Sequence, residues 1–261
     1  MIFPEAIAAL LANKQGRTNG IGMSGSEVIV YDDCVLKVEE ANEHTGAAIA
    51  AMRWLENKVP ATKVLHHEVA DGKSWLLMSR VPGVMSCDPQ YMKQPDVLIS
   101  ALAEGLKLLH SVDPAGCPKT QTLDDLLQEA RYRVENGLVD LDNVEPETFS
   151  ENGFRDPADL LSWLEQNKPE SQLCLIHGDY SLPNVFLKNG GLSGFLDLGD
   201  AGIGEKWRDI ALCYRSLRHN ADGIYGGESY PDIHPDSLFD KLGIQPDWKQ
   251  IRYHLLLDEL F

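Results

Sequence analysis

No apolar run in the chain approaches the roughly 18–20 residues that a bilayer-crossing helix needs. The N-terminal stretch MIFPEAIAALLANK has no basic flank and carries Glu5 inside its apolar patch, which argues against a secretory signal. A cytoplasmic protein without membrane attachment is therefore expected. Cysteine is scarce: Cys34, Cys87, Cys117, Cys174 and Cys213 are odd in number, widely spaced, and form no CxxC. That excludes a disulfide framework and gives no zinc-site spacing. Internal repeats, low-complexity tracts and Ser/Gly linkers are also missing, so any boundary must be read from the rhythm of elements. Positive charge is in short supply, with 23 Lys and Arg against 40 Asp and Glu and a formal net charge of -17. Such a balance repels nucleic acid and anionic membrane and favours cationic partners, although solubility alone also produces acidic surfaces.

What is present is an ordinary globular composition, 43% hydrophobic and 24% charged over 261 residues. This is enough chain for one large domain or for two lobes sharing a cleft. Residues 20–38 (GIGMSGSEVIVYDDCVLKV) alternate β-branched and turn residues and read as hairpins. Residues 43–58 form an Ala-rich helix with a stripe on Ala47, Ala51, Trp54 and Leu55. Runs at 63–65 and 74–79 read as strands, and Val81-Pro82-Gly83 then breaks the pattern. The expected division is an N-lobe over 1–79 and a C-lobe over 80–261. In the second part, residues 96–110 place Val97, Leu98, Ala101, Leu102, Leu106 and Leu109 on one helical face, with Asp96 and His110 suited to the two ends of the dipole. Further helices are predicted at about 122–135, 157–166, 206–219 and 247–260, from apolar periodicity. Between them, apolar runs at 173–176, 185–187 and 192–198 flank an Asn189-Gly190-Gly191 turn of hairpin type. The fold class expected is α+β, with a sheet-rich N-lobe carrying one large helix and a mainly helical C-lobe with a central hairpin.

That hairpin carries the densest polar cluster. His177-Gly178-Asp179 ends one apolar run, Asn184 follows, and Asp197 ends another run before Leu198-Gly199. Taken singly, Asp179 and Asn184 read as turn formers and Asp197 as a loop cap. Jointly they are the set that phosphoryl transfer needs: a carboxylate to orient and deprotonate a hydroxyl, and an amide with a second carboxylate for magnesium.

These residues, with WLENKVPATKVLHHE, LLMS, HGDYSLPNVF, GFLDLGDAGIGEKWRDIAL and LLLDELF, resemble the aminoglycoside 3′-phosphotransferases, a family similar to protein kinases in fold. The resemblance implies Asp179 as catalytic base and Asn184 with Asp197 as Mg2+ ligands. It implies Lys37 on the nucleotide phosphates, Ser24, Gly25 and Ser26 in the loop above them, and the hinge at Met78, Ser79 and Val81 against the base of ATP or GTP. Without it, Lys37 reads as a solvating lysine on an edge strand. The implied activity is transfer of the γ-phosphoryl group to an aminoglycoside hydroxyl, at the 3′ position, conferring antibiotic resistance. Ammonium groups of the antibiotic call for a carboxylate-rich surface. Candidates are Asp140, Asp142, Glu145 and Glu147 in the loop 138–149, and Asp258, Glu259 and the Phe261 carboxylate at the chain end.

Two positions depart from the family pattern. The helix glutamate that would hold Lys37 falls on Ala48, so Glu43 or another acid has to substitute. The third residue after Asp197 is Asp200, where the family often carries arginine. These departures leave open a nucleotide-binding pseudokinase, or a kinase of another small hydroxylated metabolite.

Overall fold

The computed structural model describes residues 2–21, 26–42 and 44–261. Among these, helix α1 (Glu5–Leu10) precedes strands β1 (Arg17–Ile21), β2 (Glu27–Val30) and β3 (Cys34–Glu40); helix α2 (Thr45–Leu55) and strands β4 (Val64–Ala70) and β5 (Lys73–Ser79) follow. The strands make one antiparallel sheet in the order β1-β2-β3-β5-β4. Period-two alternation decides what each face does. On β3, Cys34, Leu36 and Val38 are buried and pack with Trp75 and Leu77 against Ile7 and Leu11, at about 1.5–3 kcal/mol for each large side chain buried. The intervening Val35, Lys37 and Glu39 share the opposite face. Because β3 is the middle strand, Lys37 is not the edge-strand lysine that its sequence alone allowed.

Helix α2 buries Ile49, Ala51, Met52 and Leu55. The expected stripe is thus rotated: Ala47 is exposed, since the bulkier Ile49 and Met52 offer more apolar area to the core. The helix packs against β4 and against the short turn Leu198–Asp200.

Beyond the sheet come β6 (Val84–Met85), α3 (Pro89–Met92), α4 (Pro95–Ser111), α5 (Leu123–Glu135) and α6 (Pro157–Gln166). Then follow β7 (Leu173–Ile176), β8 (Val185–Lys188), β9 (Gly191–Phe195), β10 (Gly202–Glu205), α7 (Lys206–Asp222), α8 (Ser237–Leu242) and α9 (Trp248–Asp258). The expected apolar face of α4 is buried at Leu98, Ala101, Leu102, Leu106 and Leu109, in a core shared with α7, α8, the β8–β9 hairpin and the inner side of α2. His110 does not serve the helix dipole as a cation. Burial pushes its pKa down to about 4, so it is neutral near pH 7. A second core joins α5, α6 and α9 and includes Leu260 of the chain end. A capping box, with Thr122 N–H donating to Asp125 and Asp125 N–H to Thr122 Oγ1, starts α5.

The single central hairpin expected from the sequence is two small sheets. Strands β8 and β9 do form a hairpin, whose two-residue turn has φ of 53° at Asn189 and 81° at Gly190, the left-handed pair that such a turn requires. Strand β6 adds to its edge, whereas β7 pairs with β10. The link between α2 and β4 crosses to this hairpin: Phe195 N–H donates to Pro60 O at 3.0 Å, and Ala61 lies opposite Phe195. That crossing brings the outer end of β9, and so Asp197, beneath the large sheet.

Candidate active site

The loop after β7 is shaped before any ligand arrives. Gly178 has φ 89°, and a Cβ there would stand 2.6 Å from the Asp200 carbonyl oxygen, so only glycine fits. The His177 and Gly178 N–H groups donate to the two carboxylate oxygens of Asp209 at 2.7 and 2.9 Å. Asp209 lies on α7 and is fully buried; burial pushes its pKa up, while His177 and these two bonds oppose the rise. Within the segment EKWRDIAL nothing local marks it as a staple for a loop some thirty residues earlier. A single acid on a helix carries no local sign of what it will reach. His177, also fully buried, donates from Nε2 to Leu196 O at 2.8 Å and accepts at Nδ1 from Asp179 N–H at 3.3 Å.

Asp179 is thereby presented half-buried at the end of the loop. Asn184 Nδ2 donates to its Oδ2 at 2.8 Å and to its carbonyl at 3.1 Å. Burial, and then the charges of Asp258 and Asp197, raise the Asp179 pKa, with His177 opposing. A carboxylate raised in this way is a better proton acceptor at neutral pH than an ordinary aspartate.

Across the hairpin, Val185 lies opposite Phe195 and Leu196 N–H donates to Asn184 O at 2.8 Å. The outer ends therefore meet, placing Asn184 beside the segment that leads into Asp197. Asp197 itself sits in the left-handed region, φ 49° and ψ 56°, a conformation costing on the order of 1–3 kcal/mol that surrounding contacts must hold. Its Oδ1 accepts from Lys37 Nζ at 3.3 Å, and Lys37 also meets Glu39 Oε2 at 3.1 Å. Burial would lower the Lys37 pKa, but Asp197 and then Glu39 outweigh it and hold it above the ordinary value. The second acid that meets Lys37 is thus Glu39, two residues along the same strand face. A strand alternation count alone could have found it. Glu43 lies outside the described residues, as do Ser24 and Gly25; Ser26 is buried at the start of β2.

The donor chemistry fits magnesium. With its nitrogen committed to Asp179, the planar Asn184 amide turns its carbonyl oxygen away, and the Asp197 carboxylate is 56% exposed. Two hard oxygen donors suit Mg2+, which keeps several waters and takes phosphate oxygens for the rest. Among the described residues no cluster of three or more His, Cys, Asp or Glu makes a closed metal cage.

The hinge residues lie at the end of β5. Met78 pairs with Val35 and packs on the main core, Val81 is buried, and Ser79 N–H already donates to Lys63 O at 2.9 Å.

The acids at the other side separate into two groups. Asp258, Glu259 and Glu145 come together: Arg215 pairs with Asp258 and reaches Glu259 Oε1 at 3.5 Å, while Glu145 N–H donates to Glu259 Oε2 at 2.7 Å. Glu145 Oε1 lies 3.1 Å from His219 Nε2. Burial pushes the Glu259 carboxyl up to about 7, against the pull of the Glu145 N–H and of Arg215; the distant guanidinium contact is weaker than the one Arg215 makes with Asp258. Asp142 and Glu147, by contrast, are exposed and apart from this network, and Asp140 is occupied with Asp142 N–H and Asn143. Phe261 packs on the second core, an oxygen of its carboxylate accepting from Arg133 at 2.5 Å. Arg215, His219 and Arg133 were all missed from the sequence, each lying on a helix far along the chain from what it holds.

The pattern of the phosphotransferase enzyme family matches residues 17–229. An aminoglycoside 3′-phosphotransferase from Enterococcus faecalis is 45% identical over 214 residues, covering 80% of this chain and 76% of that protein. One from Niallia circulans is 31% identical over 267 residues, covering 99% and 97%. The crystal structure of an aminoglycoside-3′-phosphotransferase of type VIII superposes with a TM-score of 0.80 at 25% identity, covering 98% of this chain and 97% of that one.

Proposed function

We infer, from the premise that the chain belongs to the phosphotransferase enzyme family and within it to the aminoglycoside 3′-phosphotransferases, that it moves the γ-phosphoryl group of ATP to the 3′-hydroxyl of an aminoglycoside. The observation that carries this reading is the meeting of Asp179 with Asn184 at 2.8 Å next to the Asp197–Lys37 pair at 3.3 Å, which joins the acceptor side of the reaction to the phosphate side.

Asp179 orients the attacking hydroxyl and takes its proton, its raised pKa matching that task. Asn184 and Asp197 would hold Mg2+, which when bound neutralises charge on the nucleotide phosphates. Lys37, released in part from Asp197 and steadied by Glu39, meets the α- and β-phosphates. Ser26 belongs to the loop expected above the phosphates, and the backbone from Met78 to Val81 meets the base. In this reading the nucleotide lies between an N-lobe of 1–79 and a C-lobe of 80–261, and its supply implies the cytoplasm. Asp258, Glu259 and Glu145 face the ammonium groups, with Asp142, Glu147 and the Phe261 carboxylate adding long-range attraction. Little covalent chemistry falls to the protein, so positioning and electrostatics supply the rate.

The test is a coupled kinase assay with ATP and GTP across an aminoglycoside panel, with the product mapped by phosphorus–proton NMR. Phosphorylation at the 3′ oxygen, and none on a 3′-deoxy aminoglycoside, is expected. Nucleotide binding without turnover would replace this reading by that of a pseudokinase, and turnover confined to a neutral sugar or amino alcohol would move the substrate class.

A further inference from the structure

The turn Leu198–Asp200 that follows Asp197 is gripped by a residue outside the sequence motifs. Lys119, in the link between α4 and α5, donates from Nζ to the Gly199 carbonyl at 2.8 Å and to Asp200 Oδ1 at 3.0 Å. Its side chain is 16% exposed and that of Asp200 is 62% exposed, so the lysine is the anchored partner. The backbone beneath it is sewn to β10: Ile203 N–H donates to Lys119 O at 2.9 Å, and Gln121 N–H to Ile203 O at 2.8 Å. Gly202 permits that closeness, since a Cβ there would stand 2.7 Å from the Lys119 carbonyl oxygen. On the turn's other side Asp200 presses on Gly178, where no Cβ fits. The turn is therefore held between the loop that presents Asp179 and the segment that presents Lys119.

We propose that Lys119 is a positioning residue for the magnesium-binding aspartate, clamping the two residues after Leu198 so that Asp197 keeps its left-handed backbone and its carboxylate stays beside Asn184 and Lys37. The proposal rests on the reading of Asp197 as a metal ligand. Three observations meet in it. Asp197 occupies a conformation that needs outside support. The ammonium satisfies a backbone carbonyl two residues further on. The same ammonium pairs with Asp200 Oδ1 at 3.0 Å, tying the end of the turn to the segment between α4 and α5. Groups that orient a metal ligand from behind typically change metal affinity or activity by about 10–100-fold when removed.

The experiment compares Lys119→Ala, Lys119→Arg and Asp200→Asn with the parent protein. Calorimetric ADP binding is measured with and without Mg2+, beside the Mg2+ dependence of turnover and the thermal midpoint. Lys119→Ala is expected to raise the half-saturating Mg2+ about tenfold and to weaken ADP binding only when Mg2+ is present, with aminoglycoside KM nearly unchanged. Lys119→Arg should recover most of the loss. Asp200→Asn, which keeps the bond to the Gly199 carbonyl, should show a smaller shift of the same sign. An unchanged Mg2+ dependence in folded Lys119→Ala overturns the proposal, as does an equal loss of ADP affinity with and without the metal. If Lys119→Ala does not fold, the same readings on Asp200→Asn decide. A parent protein that binds ADP with Mg2+ but phosphorylates no aminoglycoside would remove the substrate assignment and leave the clamp open to measurement through ADP alone.

Discussion

Around Asp179 the polar contacts run mostly between residues close in sequence: Asn184 lies five positions away and His177 two. Around Glu259 they join a loop, two helices and the chain end, with Glu145 separated by 114 positions and Arg215 by 44. The first centre is a local loop shape tightened by one distant staple, Asp209, and its acid is raised mainly by burial. The second is an assembly of groups that have no local reason to meet, with Arg215 of α7 set among its acids and Arg133 of α5 holding the chain end. The two are nonetheless coupled, because Asp258 is among the charges that raise Asp179. A local centre can keep fixed chemistry while an assembled one varies with each element that supplies it.

The largest expected effect falls on the local side. Asp179→Ala should lower turnover by about 10²–10⁴-fold, the range for loss of a positioned base, with nucleotide affinity nearly intact. Wild-type turnover in that variant would take the chemistry away from the loop and erase the contrast.

A smaller effect tests the assembled side. The folded pKa of Glu259, about 7, lies above its ordinary 4.5. Its contribution to stability is therefore fully present below pH 4.5 and is lost as pH rises through 7. In Glu259→Gln that dependence is gone, so the thermal stability of the parent, measured against the variant, should decline between pH 5 and 8 by up to about 3 kcal/mol. The same substitution should raise aminoglycoside KM, most at low salt where attraction is least screened. A stability difference independent of pH would mean that Glu259 is ionised throughout.

The smallest effect concerns Glu39. Glu39→Gln should raise the nucleotide KM by about two- to threefold and leave kcat almost unchanged, as expected when a partly exposed pair worth up to about 1 kcal/mol is removed. The Glu39 carboxylate is 36% exposed, and Asp197 still holds Lys37. A drop in kcat as large as that of Asp179→Ala would make Lys37 placement part of the chemical step.

Much of this was legible in the order of residues. The long helices α4, α5, α6, α7 and α9 stand close to their predicted places because each carries several turns of apolar periodicity. The short helices α1, α3 and α8 and the two-residue strand β6 were not foreseen, since helices of fewer than two turns and strands of two residues leave no periodic trace. The strand β10 hides in the words GIGE, where glycines serve close approach: a Cβ at Gly204 would meet Ile176 at 2.4 Å.

By itself the sequence determined the fold class, the family, and the meeting of Asp179, Asn184 and Asp197, because only five residues separate Asp179 from Asn184 and the β8–β9 hairpin returns the chain from Asn184 to the segment before Asp197. Only the tertiary structure decided that Lys37 lies on the middle strand with Glu39 as its partner, that Asp209 staples the loop, and that Lys119 takes Asp200. It also decided that Arg215 and His219 stand among the terminal acids. The physical reason is range. Alternation, turn chemistry and caps act over a few residues and are written in the chain, whereas an ion pair between distant elements depends on how the faces of helices and sheets are turned toward each other, which packing of the whole core sets.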